Sequence, residues 1–155
     1  MTPASLGHPA PALAGPTADG DFDLAAQRGK PVVVYFYPKD NTPGCTTEAC
    51  DLRDRWGAIQ AAGATVVGVS RDSVRSHQGF SRKFDLPFPL VADLDGAITE
   101  AWGVWREKKN YGKTYMGIVR ATFLVDAQGT VARVWDPVKV KGHADEVLAA
   151  LNELG

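Results

Sequence analysis

The run Pro31-Val-Val-Val-Tyr-Phe-Tyr37 constrains this chain more than any other segment. After the proline every residue is β-branched or aromatic, with no polar alternation. Such a run reads as a strand buried on both faces, which needs cover on each side of a sheet. Ala64–Ser70 (ATVVGVS) has the same character. Between them lie a loop of turn residues, Lys39 to Gly44, and an amphipathic helix expected from about Cys45 to Ala62. Leu52, Trp56 and Ile59 recur on that helix at helical spacing, and Gly63 is a natural C′ residue.

The rest of the chain repeats the alternation. Ser73–Phe84 is a helix with Asp72 or Ser73 available as its cap. Phe88–Asp93 is a short strand and Gly96–Trp102 a short helix; Gly103–Val119, polar and Gly-rich, is expected as a loop. Arg120–Asp126 and Thr130–Asp136 form a hairpin around Ala127-Gln128-Gly129, and Gly142–Leu154 is the last helix. The first 30 residues read as a covering segment, with at most a short strand or hairpin and a helical turn at Asp23–Arg28 closed by Gly29. The order β-α-β-α-β-α-β-β-α predicts an α/β layer fold, a central mixed sheet flanked by helices.

Length and charge narrow the function. At 155 residues the chain is expected to be one domain. Lys plus Arg number 17 against 18 Asp plus Glu, so no basic excess exists to neutralise a phosphate backbone, and no nucleic-acid partner is expected. The longest strongly apolar stretch, Val32 to Tyr37, falls far short of the ~20 residues of a membrane helix. The opening MTPASLGHPAPALAGP has neither a basic leader nor an apolar core, so a cytoplasmic location is the expectation.

Chemistry concentrates at the only two cysteines, Cys45 and Cys50. In a reducing compartment a close thiol pair points to catalysis, redox activity or metal binding rather than a structural bridge. Cys45 lies at the start of the long helix, where unpaired N–H groups and the helix dipole favour the thiolate, the attacking form. Its neighbours Gly44, Thr46 and Pro43 make a poor core context. Cys50, beside Ala49 and Leu52, fits a packed position as well as a reactive one. A zinc or iron–sulfur site needs about four ligands, and His8, His77 and His143 lie in three distant segments, so no metal is expected.

The C-x4-C spacing has a physical consequence. Five residues of intact helix separate two Cα atoms by ~7.5 Å of rise and ~140° of rotation, about 8–9 Å in all. A disulfide needs Cα atoms within about 7 Å. If the two cysteines bond, the first turns of the helix must unwind.

The pattern Pro38-x-x-x-Thr42-x-x-Cys45 resembles the peroxiredoxin signature, and the string YFYPKDNTPGCTTEAC resembles the bacterioferritin-comigratory-protein or peroxiredoxin Q type. Leu52-Arg53-Asp54, Gly68-Val69-Ser70, Gly103-Val104-Trp105, GKTYMGIVRATFLVD and VKVKGH extend the likeness over nearly the whole chain. The resemblance implies a thioredoxin-like fold and a peroxidase acting on hydrogen peroxide and organic hydroperoxides, with no bound cofactor. Cys45 matches the peroxidatic cysteine, and Pro38, Thr42 and Arg120 the rest of the active site. Cys50 matches the resolving cysteine of the members that form an intramolecular disulfide. Glu48 matches the acidic position that orients the arginine. The resemblance further implies recycling by thioredoxin or a similar dithiol, and a monomer.

These residue types suit the chemistry independently. Arg120 supplies a charged fork of N–H donors, the Thr42 hydroxyl donates or accepts, and the backbone N–H groups of Gly44 and Cys45 complete a cradle. Pro38 stiffens the loop and removes a donor. Each also has a plainer reading. Thr42 suits a turn, Arg120 a solvated strand end, and Glu48 the first turn of any helix. Three other readings remain open on the residues alone: a thioredoxin-like thiol–disulfide reductase, which usually shows C-x-x-C; a peroxide sensor or holdase that uses the unwinding helix as a switch; and a binding module with incidental cysteines.

Overall fold

The computed structural model describes residues 4–154. Five strands form the central sheet in the order β5-β4-β3-β8-β9: β3 (Val32–Phe36), β4 (Thr65–Ser70), β5 (Leu90–Ala92), β8 (Ala121–Val125) and β9 (Val131–Trp135). β4 runs parallel to β3 and to β5, whereas β8 is antiparallel to β3 and to β9, so the sheet is mixed. β3 is central and every one of its residues is buried.

The apolar run supplies two cores at once, because successive side chains leave a strand on opposite faces. Val33, Tyr35 and Tyr37 face one layer with Leu52, Ile59, Phe80, Val147 and Leu151. Val32, Val34 and Phe36 face the other with Leu13, Phe22, Ile98, Trp102 and Phe123. The first layer is built by α1 (Pro43–Asp54), α2 (Trp56–Ala61), α3 (Val74–Phe84) and α5 (His143–Leu154). The second takes α4 (Ala97–Ala101) and an N-terminal hairpin, β1 (Ala14–Thr17) and β2 (Gly20–Asp23), followed by a 3-10 turn over Leu24–Gln27. Each large apolar side chain withdrawn from water stabilises the fold by roughly 1.5–3 kcal/mol.

Two sequence expectations need correcting. The helix expected from Cys45 to Ala62 starts two residues earlier, at Pro43, and breaks at Arg55. There the Arg55 N–H bonds the Leu52 carbonyl three residues back, and its guanidinium is drawn aside by Asp145. The stretch Gly103–Val119 is a second hairpin rather than a loop, with β6 (Trp105–Asn110) paired to β7 (Lys113–Ile118). Its turn residues Tyr111 and Gly112 both have positive φ, 53° and 76°, the backbone of a two-residue hairpin turn.

Candidate active site

Where β3 ends, the chain turns through Pro38–Thr42 and enters α1, so the N-terminus of α1 sits at the carboxyl end of the central strand. Ligands of open α/β sheets collect at that end. Thr42 is the N-cap residue, yet its hydroxyl donates to the Lys39 carbonyl at 2.9 Å instead of capping the helix. With that proton committed, Thr42 offers lone pairs to anything arriving above it. The first intrahelical bond runs from the Thr46 N–H to the Thr42 carbonyl at 2.9 Å. The N–H groups of Gly44 and Cys45 precede it and are available to an incoming oxygen.

Cys45 is only 1% exposed and packs with the first core layer, a correction to the poor core context expected from Pro43, Gly44 and Thr46. Pro43 and Gly44 are exposed, while the Cys45 side chain turns inward against the sheet. Arg120, placed immediately before β8, covers it. The guanidinium Nη2 donates to the Cys45 Sγ at 3.3 Å, and Nη1 donates to Glu48 Oε1 at 2.7 Å. Gly44 permits this approach: a Cβ there would lie 3.0 Å from Arg120 Nη2. The sequence thus brings Cys45, Arg120, Glu48 and Gly44 into one contact set, with Thr42 one residue before α1 and Pro38 half-buried at the end of β3.

Glu48 is more than a surface acid of a first turn. It is 2% exposed, and its Oε2 has no hydrogen-bond partner among the described residues. Burial lifts its carboxyl from the usual range to about 7, and the Arg120 guanidinium pulls it back only in part. Arg120 is shifted upward, since the attraction of Glu48 and Cys45 outweighs its desolvation, so it stays charged. Tyr35, beneath the site, is held well above the tyrosine range by burial first and then by Glu48, so it is a neutral phenol.

Cys50 lies five residues further along the same helix, half-buried, and both thiols are free. Among the described residues one cluster has metal-ligand spacing, Asp40, Asp72 and His77. Its ligating atoms are already engaged in hydrogen bonds. Asp40 Oδ2 lies 2.7 Å from His77 Nδ1, and Asp72 Oδ2 accepts from the Asp40 N–H at 2.8 Å. Nothing in the sequence marks this cluster, because His77 is 37 residues from Asp40 and the fold alone brings them together. His143, buried at the start of α5, bonds Thr122 Oγ1 at 2.9 Å.

Comparison with known proteins converges on one family. A model described as the AhpC/TSA family matches residues 6–134. The peroxiredoxin Bcp of Bacillus subtilis is 49% identical over 131 residues, covering 84% of this chain and 83% of that one. The peroxiredoxin Bcp of Escherichia coli is 44% identical over 154 residues, covering 99% of each. A solved structure of the Xanthomonas campestris bacterioferritin comigratory protein, described for its alkyl peroxide reduction activity, superposes with a TM-score of 0.86. It is 48% identical and covers 91% of this chain and 90% of that one.

Proposed function

Because this chain belongs to the AhpC/TSA family, in its bacterioferritin comigratory protein or peroxiredoxin Q type, and is a thiol peroxidase, we propose that Cys45 is the thiol that reduces the peroxide and Cys50 the thiol that resolves it. The observation that carries this reading is the guanidinium of Arg120 bridging Cys45 Sγ and Glu48 Oε1 at the start of α1. The Cys45 thiolate attacks one peroxide oxygen, forms an S–O bond and breaks the O–O bond. The leaving oxygen departs as hydroxide or alkoxide and takes up a proton as water or alcohol. Negative charge moves from sulfur to that oxygen, and Arg120 with the N–H groups of Gly44 and Cys45 stabilises it along the path. Thr42 accepts from the peroxide O–H, and Pro38 walls the loop.

Cys45 sulfenic acid then condenses with the Cys50 thiol, forming the S–S bond and releasing water. An external dithiol, thioredoxin in our reading, reduces the disulfide by exchange and is itself oxidised. The intramolecular pair needs no second subunit, which supports a monomer. One domain and a cytoplasmic location complete the reading; among the described residues no helix is long and apolar enough to cross a membrane.

One experiment tests the assignment. The reduced protein receives one equivalent of hydrogen peroxide and is quenched at short times for thiol count and intact mass. Loss of both thiols, with two hydrogens gone and no oxygen retained, is the expected result. Thiol loss no faster than that of free cysteine would refute it.

A further inference from the structure

The centre of the loop that leads into α1 is not free. Asp40, midway between Pro38 and Thr42, is 5% exposed although it sits in a turn. Its carboxylate accepts from Tyr37 Oη at 2.6 Å on one oxygen and from Ser76 Oγ at 2.8 Å on the other. The second oxygen also lies 2.7 Å from His77 Nδ1. Its backbone N–H donates to Asp72 Oδ2 at 2.8 Å, and Asp72 is held in turn by Ser70 Oγ at 2.7 Å. His77 is 1% exposed on α3, and its Nε2 lies 3.1 Å from the Val91 carbonyl on β5. A carbonyl only accepts, so Nε2 carries a hydrogen, and Nδ1 and Asp40 Oδ2 share one proton between them.

A buried carboxylate is costly unless it is paired, and a turn of this length does not need one. The sheet strand before it, β3, and the helix after it, α1, would be joined as well by an exposed polar residue. What the buried pair adds is a fixed depth and orientation for the loop, tied to two elements, α3 and β5, that carry none of the proposed site residues.

We propose that His77 is a positioning residue for peroxide reduction: through Asp40 it fixes the Pro38–Thr42 loop, and with it the Thr42 hydroxyl, against the Cys45 sulfur. The inference rests on the assignment of Cys45 given above. Misplacing a reacting partner by about 1 Å costs up to roughly a hundredfold in rate. Attack of Cys45 on an alkylating reagent such as iodoacetamide does not use the peroxide cradle. Release of the loop therefore slows the peroxide reaction selectively.

Two near-isosteric variants separate position from packing. The amide of His77→Asn occupies the place of Nδ1 and keeps the bond to Asp40; that of His77→Gln occupies the place of Nε2 and loses it. Both remove the same ring. The bimolecular rate with hydrogen peroxide and the rate of alkylation by iodoacetamide are measured for each. We expect His77→Gln to lose about tenfold in the peroxide rate with alkylation unchanged, and His77→Asn to recover most of that loss. Equal peroxide rates in the two variants, or a peroxide rate that falls in step with alkylation, would overturn the proposal. Should neither variant fold, Tyr37→Phe removes one donor to Asp40 and keeps the ring. A severalfold slower peroxide rate supports the proposal, and a wild-type rate overturns it. Cys45→Ser distinguishes the premise: peroxide consumption surviving in that variant sinks the Cys45 assignment itself, whereas its loss alongside an unaffected His77→Gln sinks only the role of His77.

Discussion

The Arg120 guanidinium lies 3.3 Å from the Cys45 sulfur, joining residues 75 positions apart across the end of the sheet. One fork of the side chain reaches the thiol while the other is anchored by Glu48 at 2.7 Å, so the donor aimed at sulfur is held without help from solvent. Arg120→Met removes that donor and keeps an apolar stem. Peroxide consumption is expected to fall about 100-fold or more, in the range seen when one preorganised donor is deleted. Stopped-flow oxidation of the reduced variant checks it. A rate within threefold of wild type, in a protein with an unchanged melting temperature, would remove Arg120 from the chemistry.

Gly44 carries a narrower prediction. A methyl group there would sit 3.0 Å from Arg120 Nη2, so the guanidinium must move by a few tenths of an ångström. Alanine is otherwise the better helix former, by about 0.8–1 kcal/mol in a helix interior. Gly44→Ala is therefore expected to fold at least as stably as wild type and to react with peroxide about three- to tenfold more slowly. Chemical denaturation and peroxide kinetics on the same preparation separate the two effects. Unchanged kinetics would mean that the guanidinium has room to spare.

Glu48 makes stability depend on pH in a defined direction. Its carboxyl is lifted from 4.5 to about 7 by burial. The folded chain therefore holds this proton where the unfolded chain has already lost it. The associated stability is fully present below about pH 4.5 and is lost as pH rises through about 7. Glu48→Gln keeps an oxygen for the Arg120 bond and abolishes the titration. The difference in unfolding free energy between pH 5 and pH 8 is expected to shrink by about 1–3 kcal/mol in that variant. Urea titrations at the two pH values measure it, and an unchanged difference would show that the carboxyl stays ionised across the range.

Much of this architecture is legible in the sequence because burial on both faces leaves a plain mark. β3, β4 and β8 are mostly apolar runs without polar alternation, in which Ser70 and Thr122 are buried with the rest, and the Ser73 cap accepts from the Ser76 N–H as its position predicts. The hairpin β6–β7 left no such mark. Its strands are largely exposed, with Tyr111 98% exposed at the tip, so no apolar alternation distinguishes it from a loop. The Asn110-Tyr111-Gly112-Lys113 turn was the one available signal, and a tyrosine at positive φ is uncommon there. Within the site, Cys45 and Glu48 stand together in the motif, whereas Arg120, in GKTYMGIVRATFLVD, is picked out by the resemblance alone. The burial of Cys45 and the Asp40–His77 pair are legible in neither, because both depend on which surfaces α3 and β5 bring to the loop.

Cys50→Ser tests the division of labour between the thiols. The variant keeps Cys45 and its partners, so one equivalent of peroxide is still expected to be consumed at the wild-type rate. Without a resolving thiol the sulfenic acid persists, and excess peroxide carries it to the sulfinic acid. Intact mass then rises by two oxygens, and turnover with a dithiol reductant stops. Full steady-state turnover with thioredoxin would assign resolution to the external thiol instead.

The fold also predicts how far oxidation reaches. Cys45 and Cys50 share α1, and an intact helix holds their Cα atoms about 8–9 Å apart, beyond disulfide reach. Forming the bond must unwind the first turns. The far end of the helix is fastened. Leu52 is buried, Arg53 Nη1 donates to the Phe84 carbonyl at 2.7 Å, and Arg55 is paired with Asp145 at 2.6 Å on α5. The Phe84 and Leu52 contacts hold against core elements that oxidation does not touch, whereas the solvent-exposed Arg55–Asp145 pair adds at most about 1 kcal/mol. Unwinding is therefore expected to stop near Leu52. Hydrogen exchange on the oxidised protein should show lost protection over Thr46–Asp51 and native protection over α2 and α3. Protection unchanged across Thr46–Asp51 would rule out the intrahelical disulfide, and loss running through Trp56–Ala61 would show that these contacts fail to hold the helix end.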